Sequence, residues 1–178
     1  MNKPSDEKVR AGGLAGRVIV VTGASSGLGE QLARALAACG AVPVLAARRA
    51  GRLRMLQDEV PQADVVACDV TREADRERLI ATVMERHGRI DGLVNNAGMG
   101  ATGPALRTSA EAFAQVIDLN LIAPYALSCL AARHMRQGGG RSVVNVAASS
   151  PATCWPWTAE WRSAEFFPRG RAGRRLAR

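Results

Sequence analysis

From Arg17 to Ala148 the chain alternates short, uniformly apolar runs with longer segments whose apolar residues recur at helical spacing. The runs RVIVVTG (17–23), AVPVLAAR (41–48), ADVVACDV (63–70), DGLVNNAG (91–98) and RSVVNVAA (141–148) read as strands buried on both faces. Between them, GEQLARALAACG (29–40) puts Leu32, Ala35, Leu36 and Cys39 on one helical face, with Gly40 placed to end the helix. RLRMLQDEV (52–60) can form a second helix, and EADRERLIATVMERHG (73–88) gathers Leu79, Ile80, Val83 and Met84 on one face. Thr108 and Glu111 have capping-box spacing ahead of a long helix in which Pro124 predicts a kink. Pro43 cannot donate to a ladder, so it belongs at the start of its strand or at an irregular position. Strands separated by helices of this length need crossover connections, which makes the sheet parallel and covers both its faces. The fold class that follows is α/β, a doubly wound parallel sheet.

Composition narrows the function classes. A chain of 178 residues is most economically one domain and buries roughly 70% of its unfolded surface. Hydrophobic content of 47% argues against disorder. No uninterrupted apolar run approaches the roughly 18 residues of a membrane span, and the polar start MNKPSDEKVR lacks a secretory pattern. Cys39, Cys68, Cys129 and Cys154 are scattered without metal or redox spacing, which favours reduced thiols and a cytoplasmic location. His87 and His134 stand alone near helix ends, as caps or surface residues rather than ligands. Half of the net charge of +8 lies in residues 151–178, with six Arg against Glu160 and Glu165. The body is only mildly basic, so a nucleic-acid partner is the minority reading.

The stretch TGASSGLGE stands where such a fold places chemistry, at the carboxyl end of the first strand and the start of the first helix. Gly23, Gly27 and Gly29 follow G-x-x-x-G-x-G, which allows a tight turn, a close backbone approach to a pyrophosphate and close helix–strand packing. Four motifs then occur in order: TGASSGLG (22–29), NNAG (95–98), Asn120 in DLNLIAP, and SVVNVAA (142–148). Together they resemble the short-chain dehydrogenase/reductase family over residues 14–150, about three quarters of the chain. The resemblance implies a Rossmann-like sheet, here truncated after the fifth strand, and carbonyl/alcohol interconversion by hydride transfer.

Residue roles carry over by position. Gly23, Ser25, Ser26, Gly27, Leu28 and Gly29 would surround the cofactor phosphates. Asp69, followed by Val70, matches the acid that holds the adenine amino group; alternatively it is a turn or capping residue. Asn96, Ala97 and Gly98 would line the adenosine–ribose wall, while Asp91 and Asn95 brace the sheet. Asn120 matches the helix asparagine that holds a relay water. At the end of the second strand, where NAD-selective relatives carry an acid, stands Ala47, followed by Arg48 and Arg49. Guanidinium groups there suit a 2′-phosphate, which favours NADP(H) over NAD(H). Ser26 stands where many NADP(H)-selective relatives carry a base.

The family's Tyr-x-x-x-Lys pair is missing. The lone tyrosine, Tyr125, has Cys129 four residues on and reads as core or interface packing, and the lysines are Lys3 and Lys8. A free phenol with a pKa of about 10 is a poor base near neutrality without that ammonium neighbour. Ala148 stands where the family's strand serine is expected, with Ser149 one residue late, so Ser149 is the candidate only if the strand end shifts register.

From Pro151 the composition changes to PATCWPWTAEWRSAEFFPRGRAGRRLAR, which holds all three tryptophans. The expected organisation is a polar tail (1–13), a dinucleotide-binding domain (14–150) and an anomalous Arg/Trp/Pro-rich tail (151–178), read as a reading-frame shift or a divergent tail. Three functions remain open. The chain is an NAD(P)(H)-dependent oxidoreductase inactive as written, a non-catalytic NADP(H)-binding module, or a basic-tail nucleic-acid binder. The resemblance implies a small-molecule carbonyl or alcohol substrate and a homo-oligomer for the intact form though not for this chain; the lack of a long apolar run implies no membrane partner.

Overall fold

A computed structural model describes residues 13–100, 108–138 and 142–146. The elements run β1 (Val18–Thr22), α1 (Gly27–Ala38), β2 (Val42–Ala47), α2 (Ala50–Glu59), β3 (Asp64–Ala67), α3 (Glu73–His87) and β4 (Gly92–Asn95). They continue with α4 (Ala110–Ile117), a π-helical turn (Asp118–Ile122), α5 (Ala123–Gly138) and β5 (Ser142–Asn145). All strand pairings are parallel, in the order β3-β2-β1-β4-β5. The α/β doubly wound expectation therefore holds, and the order reverses between β1 and β4.

Both faces of the central strands are dry. Val18 and Val20 pack with Leu79, Ile80, Val83, Leu127 and Met135 from α3 and α5. Ile19 and Val21 point the other way, toward Ala33 and Ala37 of α1 and Leu53 and Leu56 of α2. Strict alternation of this kind is why the strands read as continuous apolar runs.

Three local expectations are corrected. The buried face of α1 is Gly29, Ala33 and Ala37, not the predicted face: Ala35 is exposed and Leu36 only partly buried. Small residues win there because α1 leaves a glycine turn and lies close against the sheet. The N-cap of α4 is Ser109 rather than Thr108; its Oγ accepts from the Ala112 N–H at 3.2 Å. Tyr125 is 70% exposed, which excludes a core role. Pro43 is the second residue of β2, opposite Ile19. Pairing with β3 begins only at Val44, so no ladder bond to β3 is lost at the proline.

The helical stretch Ala110–Met135 has a mean hydropathy of 1.4 over its best window and is long and apolar enough to cross a membrane, by length and composition only. That qualifies the expectation drawn from uninterrupted runs, because a window average tolerates scattered polar residues. One face of it is built into the core through Ala123, Leu127, Ala131 and Met135. On another, Phe113, Ile117, Leu121 and Tyr125 recur every four residues and are exposed.

Asp91 locks the amino end of the sheet. Its carboxylate accepts from Arg17 Nη1 at 2.8 Å, from the Val18 N–H at 2.9 Å, and from both Nε and Nη2 of Arg89. Burial pushes the carboxyl up, but the bonds from Arg89, the Val18 N–H and Arg17 outweigh it and hold the pKa below the ordinary aspartate value. Asp64 behaves alike: burial opposes, while Arg86, the Val65 N–H and His87 prevail. A depressed folded-state pKa contributes stability that is present above the unfolded value, near pH 4, and is lost as pH falls through the folded one. Asp91→Asn is therefore expected to cost about 2 kcal/mol in urea unfolding at pH 7. The two proteins should converge in stability as the pH is lowered from about 4 toward 2.

Candidate functional site

The turn after β1 is built by three glycines with three different reasons. Gly23 (φ +67) and Gly27 (φ +60) occupy left-handed backbone, where a side chain is strained. Gly29 has no room: a Cβ there would lie 2.5 Å from the Gly23 carbonyl oxygen and 2.5 Å from Asn96 Nδ2. The turn is thus packed directly on the segment that follows β4.

Thr22 and Asn96 make that junction. The Thr22 hydroxyl accepts from the N–H groups of Asn96 and Ala97, both at 3.0 Å, and donates to the Val94 carbonyl at 3.3 Å. That uses the full capacity of a hydroxyl. Asn96 Nδ2 donates to the carbonyls of Thr22 and Gly23. Thr22 was not among the sequence candidates; its signal was a polar residue ending an otherwise apolar run.

Around this junction the carboxyl ends of β1, β2 and β4 and the turn after β3 enclose a cleft of about 320 Å³. Gly23, Ser25, Ser26 and Leu28 line one side; Ala47, Arg48 and Arg49 the next; Asp69 and Val70 the third; Asn96, Ala97 and Gly98 the last. Gly27 and Gly29 shape the turn without forming the wall. Of the predicted residues, Asn120 stands just beyond, and Ser149 lies outside the described residues. Sequence reading missed Leu119 and Cys68 as lining residues. Burial first, then the charge of Asp75, pushes the Cys68 thiol up to about 11, so it stays protonated near neutrality.

The helix that opens onto the cleft has no side-chain cap. Ser26 is the N-cap of α1, but its side chain makes no capping bond. Its Oγ instead accepts from Arg49 Nη2 at 2.7 Å, and the same guanidinium donates twice to Ser25 Oγ, at 2.9 and 3.2 Å. The first N–H groups of α1 are left for an anion. Among the described residues neither Arg48 nor Arg49 has a carboxylate partner. On the opposite side, Asp69 Oδ1 accepts from the Thr71 N–H at 3.1 Å and the Thr71 hydroxyl at 2.7 Å, so the carboxylate shapes its own turn.

Asn120 sits in the π-helical turn. Its Nδ2 donates to the Met99 carbonyl at 2.7 Å and its Oδ1 accepts from the Met99 N–H at 3.0 Å, which ties the long helix to the segment after β4. Pro124, four residues on, has no N–H to offer the Asn120 carbonyl, so the predicted kink takes the form of a widened turn immediately before the proline. Asn95 and Asp91 brace the sheet as expected: Asn95 Nδ2 donates to Asn145 Oδ1 at 2.9 Å and to Ser128 Oγ at 3.0 Å.

A parallel sheet with a glycine turn at its topological switch, a helix N-terminus without a side-chain cap, and two guanidinium groups without carboxylate partners among the described residues defines a doubly wound α/β domain with a cleft at the switch point. The family model described as short chain dehydrogenase matches residues 17–164, running past the Ser150 boundary expected from the sequence. L-fucose dehydrogenase of Bos taurus is 38% identical over 133 residues, covering 74% of this chain and 49% of that protein. A metagenomic short-chain oxidoreductase solved in complex with NADP is 36% identical, with a TM-score of 0.71 over 77% of this chain and 63% of that one. The 3-ketoacyl-(acyl-carrier-protein) reductase of Brucella melitensis, complexed with NADH, is 30% identical, with a TM-score of 0.71 over 75% and 57%. The chain belongs to the short-chain dehydrogenase family, and it spans about half the length of the curated relatives it matches.

The glycine geometry separates two substitutions. Gly27→Ala strains φ but meets no atom within 4 Å and should cost about 1–2 kcal/mol in denaturant unfolding. Gly29→Ala must displace backbone and is expected to cost at least twice as much.

Proposed function

We propose that this chain binds a nicotinamide adenine dinucleotide in the cleft, with NADP(H) preferred, as the cofactor-holding part of a carbonyl/alcohol oxidoreductase. The observation that carries the reading is the pair Arg48 and Arg49 at the end of β2, without carboxylate partners among the described residues, beside an uncapped helix N-terminus. A 2′-phosphate supplies the anion these guanidiniums lack. The solved relatives include both an NADP and an NADH complex, so the preference rests on this chain's own residues.

In this reading Gly23, Ser25, Ser26, Gly27, Leu28 and Gly29 hold the phosphates. Asp69 and Val70 meet the adenine end, and Asn96, Ala97 and Gly98 form the adenosine–ribose wall. The bound dinucleotide would supply the hydride chemistry. Asn120 would steady a relay water near Met99, and Ser149 is the remaining hydroxyl for polarising a small-molecule carbonyl. Tyr125 cannot serve as the proton donor: it is exposed on α5 and has no lysine four residues on. The 178 residues are therefore expected to bind without turnover.

Fluorescence titration tests this. NADPH should bind at least about tenfold more tightly than NADH, and Arg48→Glu should remove that advantage while leaving NADH affinity nearly unchanged. Equal affinity for both cofactors would refute the preference, and steady NADPH consumption with an aldehyde or ketone would refute the absence of turnover. Residues 151–178, into which the family match runs as far as residue 164, are proposed to be a frame-shifted segment. Translating the coding DNA from Val143 in all three frames should then yield a Tyr-x-x-x-Lys pair in another frame, and its absence from every frame would show the segment to be genuine.

A further inference from the structure

Arg76, in the first turn of α3, is the one buried arginine among the described residues, at 8% exposure. It forms no salt bridge among the described residues. Its Nη1 donates to two successive backbone carbonyls, Val70 at 2.8 Å and Thr71 at 2.9 Å. Its buried Nε has no partner. A buried guanidinium held by carbonyls alone, with an orphan donor, bears the desolvation cost of a buried charge with little of its bonding capacity used, so its net contribution to stability is small.

What Arg76 does hold is the turn between β3 and α3. Asp69 and Val70 of that turn line the cleft. The Asp69 N–H donates to Asp75 Oδ2 at 2.8 Å, the Arg72 N–H to the Asp69 carbonyl at 2.9 Å, and Asp69 Oδ1 binds Thr71. Asp75 thus fixes the start of the turn, and Arg76 fixes its middle by drawing two adjacent carbonyls toward α3. The peptide planes of the cleft wall on this side depend on that guanidinium.

We infer that Arg76 is a positioning residue for the adenosine half of the dinucleotide, acting through the carbonyls of Val70 and Thr71 without touching the ligand. The inference rests on the dinucleotide reading above. It assigns to Arg76 a cost in the empty protein that is recovered as a pre-formed wall when adenosine binds.

The test compares Arg76→Met with the unaltered full chain, using NADPH and adenosine 2′,5′-bisphosphate as probes in calorimetric titrations, alongside thermal unfolding. Arg76→Met removes a buried charge but also the donor to two carbonyls, so its unfolding temperature should change little, yet it should bind both probes about tenfold more weakly. Arg76→Lys, which keeps a donor, should recover part of the affinity. Unchanged affinity for the bisphosphate overturns the inference, as does a loss of affinity that only tracks a lowered melting temperature. If Arg76→Met does not fold, Arg76→Gln carries the same comparison. An unaltered chain that binds NADPH but not the bisphosphate also overturns it. An unaltered chain that binds neither overturns the dinucleotide reading itself, and this inference with it.

Discussion

The receptive end of this molecule depends on one close approach, between the turn after β1 and the segment after β4. Gly29 meets Asn96 and Gly23 meets the Ala97 backbone at distances that admit no Cβ, and the Thr22 hydroxyl fastens the two chain segments from below. Strand order reverses at this point, so the connections leaving β1 and β4 diverge to opposite faces and leave a crevice between them. Without the close approach, α1 would stand away from the sheet and its N-terminus would not face that crevice. The small-residue face of α1 follows from the same requirement, because Ala33 and Ala37 continue the line that Gly29 begins.

The distribution of hydrogen bonds around the crevice is uneven in an informative way. Hydroxyls that could have capped α1 are engaged by Arg49, so the helix amides stay open while a cation is held beside them. On the facing wall, acids are spent on backbone: Asp69 on Thr71, Asp75 on Asp69. Positive charge on one rim is therefore held by hydroxyls without a carboxylate partner among the described residues, whereas negative charge on the other is spent on the backbone. An anion entering the crevice meets donors that need no reorganisation, the condition under which electrostatic recognition is most effective.

How far this could be read in advance divides along a physical line. The five strands, their parallel arrangement and the glycine turn follow from local pattern, since apolar runs and glycine spacing are visible one residue at a time, whereas Asp69, Val70 and Asn96 to Gly98 were placed only by the family resemblance. The face of α1 was misread because hydrophobicity favours Leu32 and Leu36, whereas close packing favours Gly29 and the alanines. Choosing Thr108 over Ser109 as the cap was a one-residue choice between two competent hydroxyls, which spacing cannot settle. Arg76 was invisible for a deeper reason: an arginine in a charged helical segment reads as solvated, and only the returning turn after β3 shows that it is enclosed. Asn120 was placed by motif, but its grip on Met99 joins segments that pattern alone cannot bring together.

The two halves of the sheet differ in how completely they are covered. Around β1 and β2, Val20, Val21, Val44 and Leu45 are wholly enclosed. Beyond β4, β5 forms the edge of the described sheet, with Val144 49% exposed, and neither α4 nor the π-helical turn contributes a buried residue. Local opening costs least where few apolar contacts are buried, so α4, the π-helical turn and β5 should open more readily than the glycine turn. The proposed cofactor wall draws almost all its residues from the well-covered half, whereas Asn120 belongs to the sparsely covered one. In the proposed reading, the residues that would hold the dinucleotide and the Asn120 that would steady a relay water therefore stand on differently covered parts of the sheet.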